Sequence, residues 1–328
     1  MNALQEFGIA LIQALQTLSP ALDIPMNIFT FVGKIEFYML FITFLYWVID
    51  TQLGFRVFMI LLSTDILGIA FKHLFHQPRP YWIGDVKGMG VETSYGIPST
   101  HASDSLSVWS YLAYRIKKRW LWITAVALIL LISFSRLYLG VHFPHDVLFG
   151  WMIGLTMFYL FIKNEQVVAG WISTHSTSYQ IGFSFVISLL FIMVGLLVRA
   201  LISRSSDAAA WSHFSTEARS LSHYFTLSGA LFGAASGYIL MKQHACFQTT
   251  GTGLQKAGRY LVGMLGVFAI LYGLDPLFSM VAADETTLGY ILRYIRYGGT
   301  TFWLTFGAPW IFLKLNLAAR KPHTRRRH

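Results

Sequence analysis

Residues 135 to 146 read Ser135-Arg136-Leu137-Tyr138-Leu139-Gly140-Val141-His142-Phe143-Pro144-His145-Asp146. One apolar run ends at Ser135–Arg136 and another begins near Pro144, so the stretch joins two helical segments. A helix starting near His142 would put His142 and Asp146 on one face, within reach of each other. A carboxylate so placed orients an imidazole, fixes its tautomer and stabilises its cation. Arg136 adds a planar, always-charged fork that matches phosphate oxygens. Alone, the pattern Arg-x5-His-x3-Asp reads equally well as a capped loop holding a His–Asp pair.

Composition defines the surroundings. The chain has 328 residues, of which 55% are hydrophobic and 12% charged, with mean hydropathy +0.54. Soluble domains carry about 25% charged residues, so the sequence predicts a polytopic membrane protein. Apolar runs of the length a bilayer requires, about 20 residues, lie near 28–49, 54–75, 99–115, 120–138, 144–163, 181–202, 222–241, 259–281 and 299–316. The expected fold is therefore an all-α integral-membrane bundle of about nine spans. The Ser/Thr-rich stretch 164–180 suggests a boundary, giving a core over residues 1–165 and a C-terminal extension over 166–328. Residues 1–22 carry Leu4, Phe7, Leu11, Leu15 and Leu18 at helical spacing, with Ile9 off that stripe, and predict an interfacial helix. With Glu6 in place of a basic n-region, they do not read as a cleaved signal.

The net charge of +10 raises the question of nucleic acid. Basic residues cluster at span ends and in the tail from Arg320, which fits lipid headgroups and the positive-inside rule instead. No nucleic-acid partner is expected. Arg115, Lys117, Lys118 and Arg119 make their loop cytoplasmic, and alternate crossing puts Lys163, Lys242, Lys256, Arg259 and the C-terminus on that side. The N-terminus then faces outward, and Arg199, Arg204, Arg219, Arg293 and Arg296, on the outer side, dilute the bias. The single cysteine, Cys246, excludes an internal disulfide.

Two more stretches share the edge-of-run placement of the first. Lys72-His73-Leu74-Phe75-His76-Gln77-Pro78-Arg79-Pro80 gives Lys-x6-Arg-Pro, and Pro98-Ser99-Thr100-His101 follows. In this order and spacing, with Ser-Arg-x5-His-x3-Asp third, the motifs resemble the signature of the type 2 phosphatidic acid phosphatase superfamily, the integral-membrane lipid phosphate phosphatases. The resemblance implies a five-to-six-helix phosphatase core and a role for each matching residue. His142 is the nucleophile that forms a phosphohistidine later hydrolysed by water, Asp146 orients it, and His101 is the general acid. Lys72, Arg79, Ser99, Thr100 and Arg136 occupy the phosphate-binding positions. Many members have Gly where Thr100 stands. This variant, with Ser-Arg-Leu-Tyr-Leu-Gly-Val-His, resembles the sphingosine-1-phosphate phosphatases.

No cofactor or metal is implied. The cations supply the electrostatics, no carboxylate cluster suits Mg²⁺, and His73, His76, His142 and His145 match no zinc spacing. His73, His76 and His145, which match no motif position, read as loop or interface residues. Asp104, three residues after His101, is a candidate support for His101 or a nearby cation, while Asp65 reads as packed inside the bundle. The 81–97 loop, with Asp85, Lys87 and Glu92, is expected to line the headgroup entry. The expected substrate is a lipid phosphate or polyprenyl pyrophosphate, handled on the outer face of a bacterial inner membrane. A phosphotransferase of the same superfamily and a lipid transporter or scramblase stand as alternatives. The extra C-terminal spans suit either a homodimer surface or a substrate groove.

Overall fold

The computed structural model describes residues 2–202 and 211–321. Apolar runs interrupted by Gly, Pro and short polar connectors become the helices α1 (Ala3–Gln16), α2 (Asp23–Val32), α3 (Ile35–Phe44), α4 (Thr51–Phe75), α5 (Pro80–Ile83), α6 (Thr100–Ile116), α7 (Arg119–Tyr138), α8 (Pro144–Ser173), α9 (Thr177–Ile202), α10 (Ser212–Ala218), α11 (Ser222–His244), α12 (Gly253–Ser279), α13 (Thr287–Phe302) and α14 (Ala308–Lys314). Among the described residues, extended pairing is confined to one bridge, Phe247 with Arg320. The all-α expectation holds.

Nine spans are not what emerges. Among the described residues six helices are long and apolar enough to cross a membrane, or seven if the α2–α3 pair, bent by 55°, counts as one. The predicted run 99–115 becomes α6, only 17 residues long, whose Ser103, Asp104, Ser105, Ser107 and Ser110 are buried in protein rather than turned to lipid. The run 299–316 is split by a π turn, Trp303–Gly307, before α14. Hydropathy counts apolar residues and does not register where a helix changes its hydrogen-bond pitch.

The described chain forms two compact units. One comprises residues within 1–39, 60–168 and 193–223. In it α6 packs on α7, and α7 on α2 and α1. α8 approaches α6 through Gly150 and Gly154, where a Cβ would fall 2.5 Å from Ser99 O and Ser103 O respectively. Small residues four apart let membrane helices meet backbone to backbone. This contact fixes the start of α6 against the start of α8.

The N-terminal helix turns its apolar stripe outward and packs by another face. Leu4 and Phe7 are exposed, whereas Ile9 and Ile12 are buried, with Ile9 lying against Gly84. Gln16 Nε2 donates to Lys87 O and Tyr138 O at 2.8 and 3.1 Å, and Gln13 Nε2 to Asp85 O at 2.8 Å. α1 therefore ties down the loop before α6 and leaves Leu4 and Phe7 exposed.

The other unit comprises residues 40–59, 169–192 and 224–328. Gly233 of α11 meets α13 so closely that a Cβ would fall 2.0 Å from Gly298 O. Buried Arg259 donates to the carbonyls of Trp47, Gln248, Thr249 and Thr250, and Trp47 Nε1 donates to Leu304 O at 2.9 Å.

Candidate active site

α7 ends in a Schellman turn. Gly140, at φ +70°, donates to Leu137 O at 3.0 Å, and Val141 N donates to Arg136 O at 3.2 Å. The positive φ suits glycine and reverses the chain so that His142 follows at once. The next helix begins at Pro144, whose fixed φ and missing N–H suit a first helical position. His142 thus precedes α8 instead of lying on its face, correcting the shared-face expectation. Contact is made by Asp146 folding back over the helix start: its Oδ2 accepts from Phe143 N at 2.9 Å and lies 3.3 Å from His142 Nδ1.

The other ring nitrogen, His142 Nε2, faces Arg79 Nη1 at 3.2 Å. Arg79 is fully buried and held by carbonyls: Nε donates to Ser94 O at 2.6 Å, Nη1 to Val141 O at 2.8 Å and Nη2 to Tyr95 O at 3.2 Å. Lys72, in the last turn of α4, donates from Nζ to Tyr95 O at 2.6 Å and Gly96 O at 3.3 Å. Arg136, at the end of α7, donates to Thr30 Oγ1 and to the Glu92 carboxylate. Lys72, Arg79, Arg136 and His101 all lie within electrostatic reach of His142. Burial first, then Arg79, Lys72 and Arg136, lower the His142 pKa well below its ordinary value, so the ring is neutral.

Ser99 caps α6 from outside the helix, its N–H donating to Asp146 O at 3.0 Å and its buried Oγ making no hydrogen bond. His101 Nε2 is likewise buried and unbonded. These groups sit where a helix start concentrates free N–H groups and positive dipole. The Thr100 methyl lies against Gly68 of α4, so what Thr100 offers an anion is its backbone N–H. Asp104 is buried one turn deeper, accepts from Ser103 Oγ at 3.5 Å, and shares its electrostatic surroundings with Asp65 and Lys72.

Three contributors are not evident from sequence. Thr30 anchors Arg136 from 106 residues away. His145, read as a loop residue, brings Nε2 to 3.5 Å from Asp146 Oδ1 and stacks on Phe143 with ring centroids 5.1 Å apart. Glu92 pairs with Arg136 and lies 3.6 Å from Arg79 Nη2. Burial alone would raise its pKa, but Arg136 and Arg79 hold the carboxyl well below the usual range. Of the remaining histidines, His73 bonds Ala218 O at 2.9 Å. Among the described residues no group of three or more His, Cys, Asp or Glu side chains is placed to hold a metal ion.

A helical membrane protein with a buried His–Asp pair facing three cations is the kind of protein this fold and site define. Residues 53–168, which hold all three motifs, match the PAP2 superfamily, and residues 225–320 match the PAP2 superfamily phosphatase, transmembrane extension. The chain carries a PAP2 superfamily domain followed by that extension. It is similar to an undecaprenyl-diphosphatase of Sulfolobus acidocaldarius, 31% identical over 31% of this chain and 50% of that one. It also resembles glucose-6-phosphatase 3 of Bos taurus, 25% identical over 90% of both chains. Sphingosine-1-phosphate phosphatase 1 of Mus musculus is 26% identical over 86% of this chain and 70% of that one. The chain thus spans about half the length of the first of these relatives and most of the other two.

Proposed function

We propose that this protein hydrolyses the phosphate or pyrophosphate group of a membrane lipid through a phosphohistidine on His142. The observation that carries the reading is the division of labour at one ring: Nδ1 lies 3.3 Å from Asp146, while Nε2 points at Arg79, 3.2 Å away. Asp146 holds the proton on Nδ1, leaving the Nε2 lone pair to attack phosphorus. As the N–P bond forms, the P–O bond to the lipid breaks, and His101 gives its proton to the departing oxygen. Water then attacks phosphorus, His101 takes a proton from it, the N–P bond breaks and inorganic phosphate leaves. Lys72, Arg79, Arg136, Ser99 and the N–H groups at the start of α6 stabilise charge on the equatorial oxygens.

The site and the Arg115–Arg119 loop lie at opposite ends of α6, about 25 Å apart for a helix of this length. Positive-inside topology then turns the site outward. A site at the membrane face suits a lipid whose headgroup enters while its tail stays in the bilayer. A relative matched over 90% of both chains, named a glucose-6-phosphatase, supports a second reading in which the substrate is a water-soluble phosphate monoester. Phosphate release from purified protein, with EDTA present, across polyprenyl pyrophosphate, phosphatidate, sphingoid-base phosphate and glucose 6-phosphate separates these readings. The expected result is release from a lipid substrate, abolished in His142→Ala. Release that survives His142→Ala, or that requires Mg²⁺, overturns the mechanism.

A further inference from the structure

We infer that Glu92 is a resident counter-anion of the phosphate site: its carboxylate holds the place on Arg136 and Arg79 that a substrate phosphoryl group takes, and substrate binds by displacing it. The inference rests on the reading of this site as a phosphate site. Glu92 lies in the loop between α5 and α6, next to Val91, which is 95% exposed. One carboxylate oxygen accepts from Arg136 Nη2 and the other lies 3.6 Å from Arg79 Nη2. This arrangement of two guanidinium groups on one anion is what a phosphate would receive.

The fit is incomplete in an informative way. Ser99 Oγ, His101 Nε2 and Arg136 Nε are buried and unbonded, and His101 lies within electrostatic reach of Arg136, Glu92 and Arg79. A planar carboxylate has two oxygens and both are committed to the arginines. A tetrahedral phosphoryl group has more, and can serve these three groups as well. Displacement needs little rearrangement. The Glu92 backbone is held independently, its carbonyl accepting from Tyr81 Oη at 3.0 Å, and the side chain is 22% exposed, so rotation of the side chain alone takes the carboxylate toward solvent. Resident negative charge also keeps three buried cations from facing one another uncompensated, and it sets a threshold that only a well-charged headgroup passes.

The test compares wild type, Glu92→Gln and Glu92→Ala in inhibition of phosphate release by inorganic phosphate and by orthovanadate. Both variants are expected to bind these anions about tenfold more tightly, equivalent to about 1.4 kcal/mol. An unchanged or weaker inhibition constant overturns the inference. If wild type releases no phosphate from any substrate, the phosphatase reading fails, and the rise in melting temperature with added orthovanadate then decides the Glu92 question separately. A larger rise in the variants than in wild type supports it; an equal or smaller rise refutes it. Should neither variant fold, amide exchange of wild type decides: orthovanadate is expected to speed exchange at residues 90–94, and slower or unchanged exchange contradicts displacement.

Discussion

At the scale of single residues, the Asp146 carboxylate is asked to do two things, bonding Phe143 N at 2.9 Å and orienting His142. Asp146→Asn keeps the first and presents the wrong partner to Nδ1. Its kcat is expected to fall by about 10² to 10⁴ with KM little changed, the pattern of a misoriented nucleophile, which steady-state kinetics on the best lipid substrate will show. Because His142 is held neutral by burial and by Arg79, Lys72 and Arg136, it gains a proton only below its ordinary pKa of about 6.5. The acid limb of kcat/KM due to His142 is therefore expected below pH 6.5. Lys72→Met removes one of those cations and should move the limb upward. A limb that stays put or moves down would contradict this electrostatic account.

The motif residues were legible in the sequence because their chemistry fixes their identity and spacing. Glu92 was not. It is one of three ionisable residues in an irregular loop, and its pairing depends on the path of that loop around Arg79, whose Nε, Nη1 and Nη2 are bonded to Ser94, Val141 and Tyr95 carbonyls. Thr30 was invisible for a similar reason, being brought to Arg136 by the packing of α2 on α7.

At the scale of elements, the site depends on how closely α8 meets α6. Gly150→Val would drive a side chain into Ser99 O, 2.5 Å from where its Cβ must go, and would part the start of α6 from Asp146. Overpacking of this kind costs about 1–3 kcal/mol. A lower melting temperature in detergent is expected, together with activity lost beyond what the unfolded fraction explains. Gly170→Val is the control, because a Cβ there meets nothing within 4 Å. Helix existence was legible from apolar runs. The start of α8 at Pro144 agrees with the predicted run 144–163, and His142 therefore lies before the helix rather than on its face. The face by which α1 packs, Ile9 and Ile12, was not legible, because it lies off the apolar stripe that carries the exposed Leu4 and Phe7.

At the scale of the whole molecule, hydropathy revealed the class, while of its nine apolar runs α6, at 17 residues, and the segment broken before α14 fall short of the length of an unbroken apolar span. Topology follows from charge and can be tested with thiols. In a Cys246→Ser background, Val91→Cys is expected to react with a membrane-impermeant maleimide from outside intact cells, and Lys118→Cys only after permeabilisation. The reverse pattern would place the site in the cytoplasm. The extension carries its own anchor in Arg259, whose two terminal nitrogens hold the carbonyls of Trp47, Gln248, Thr249 and Thr250. Arg259→Ala leaves those carbonyls unpaired and is expected to lower thermal stability, read by melting in detergent, since each buried unsatisfied group costs about 1–3 kcal/mol.

The covalent step is the most direct test of the account. Lipid substrate labelled with ³²P at the transferred phosphate, quenched in base within the first turnovers, should leave an acid-labile label on the peptide that contains His142, and none in His142→Ala. Label on another residue, or rapid hydrolysis by wild type with no trapped phosphohistidine under conditions that preserve it, would contradict the central claim.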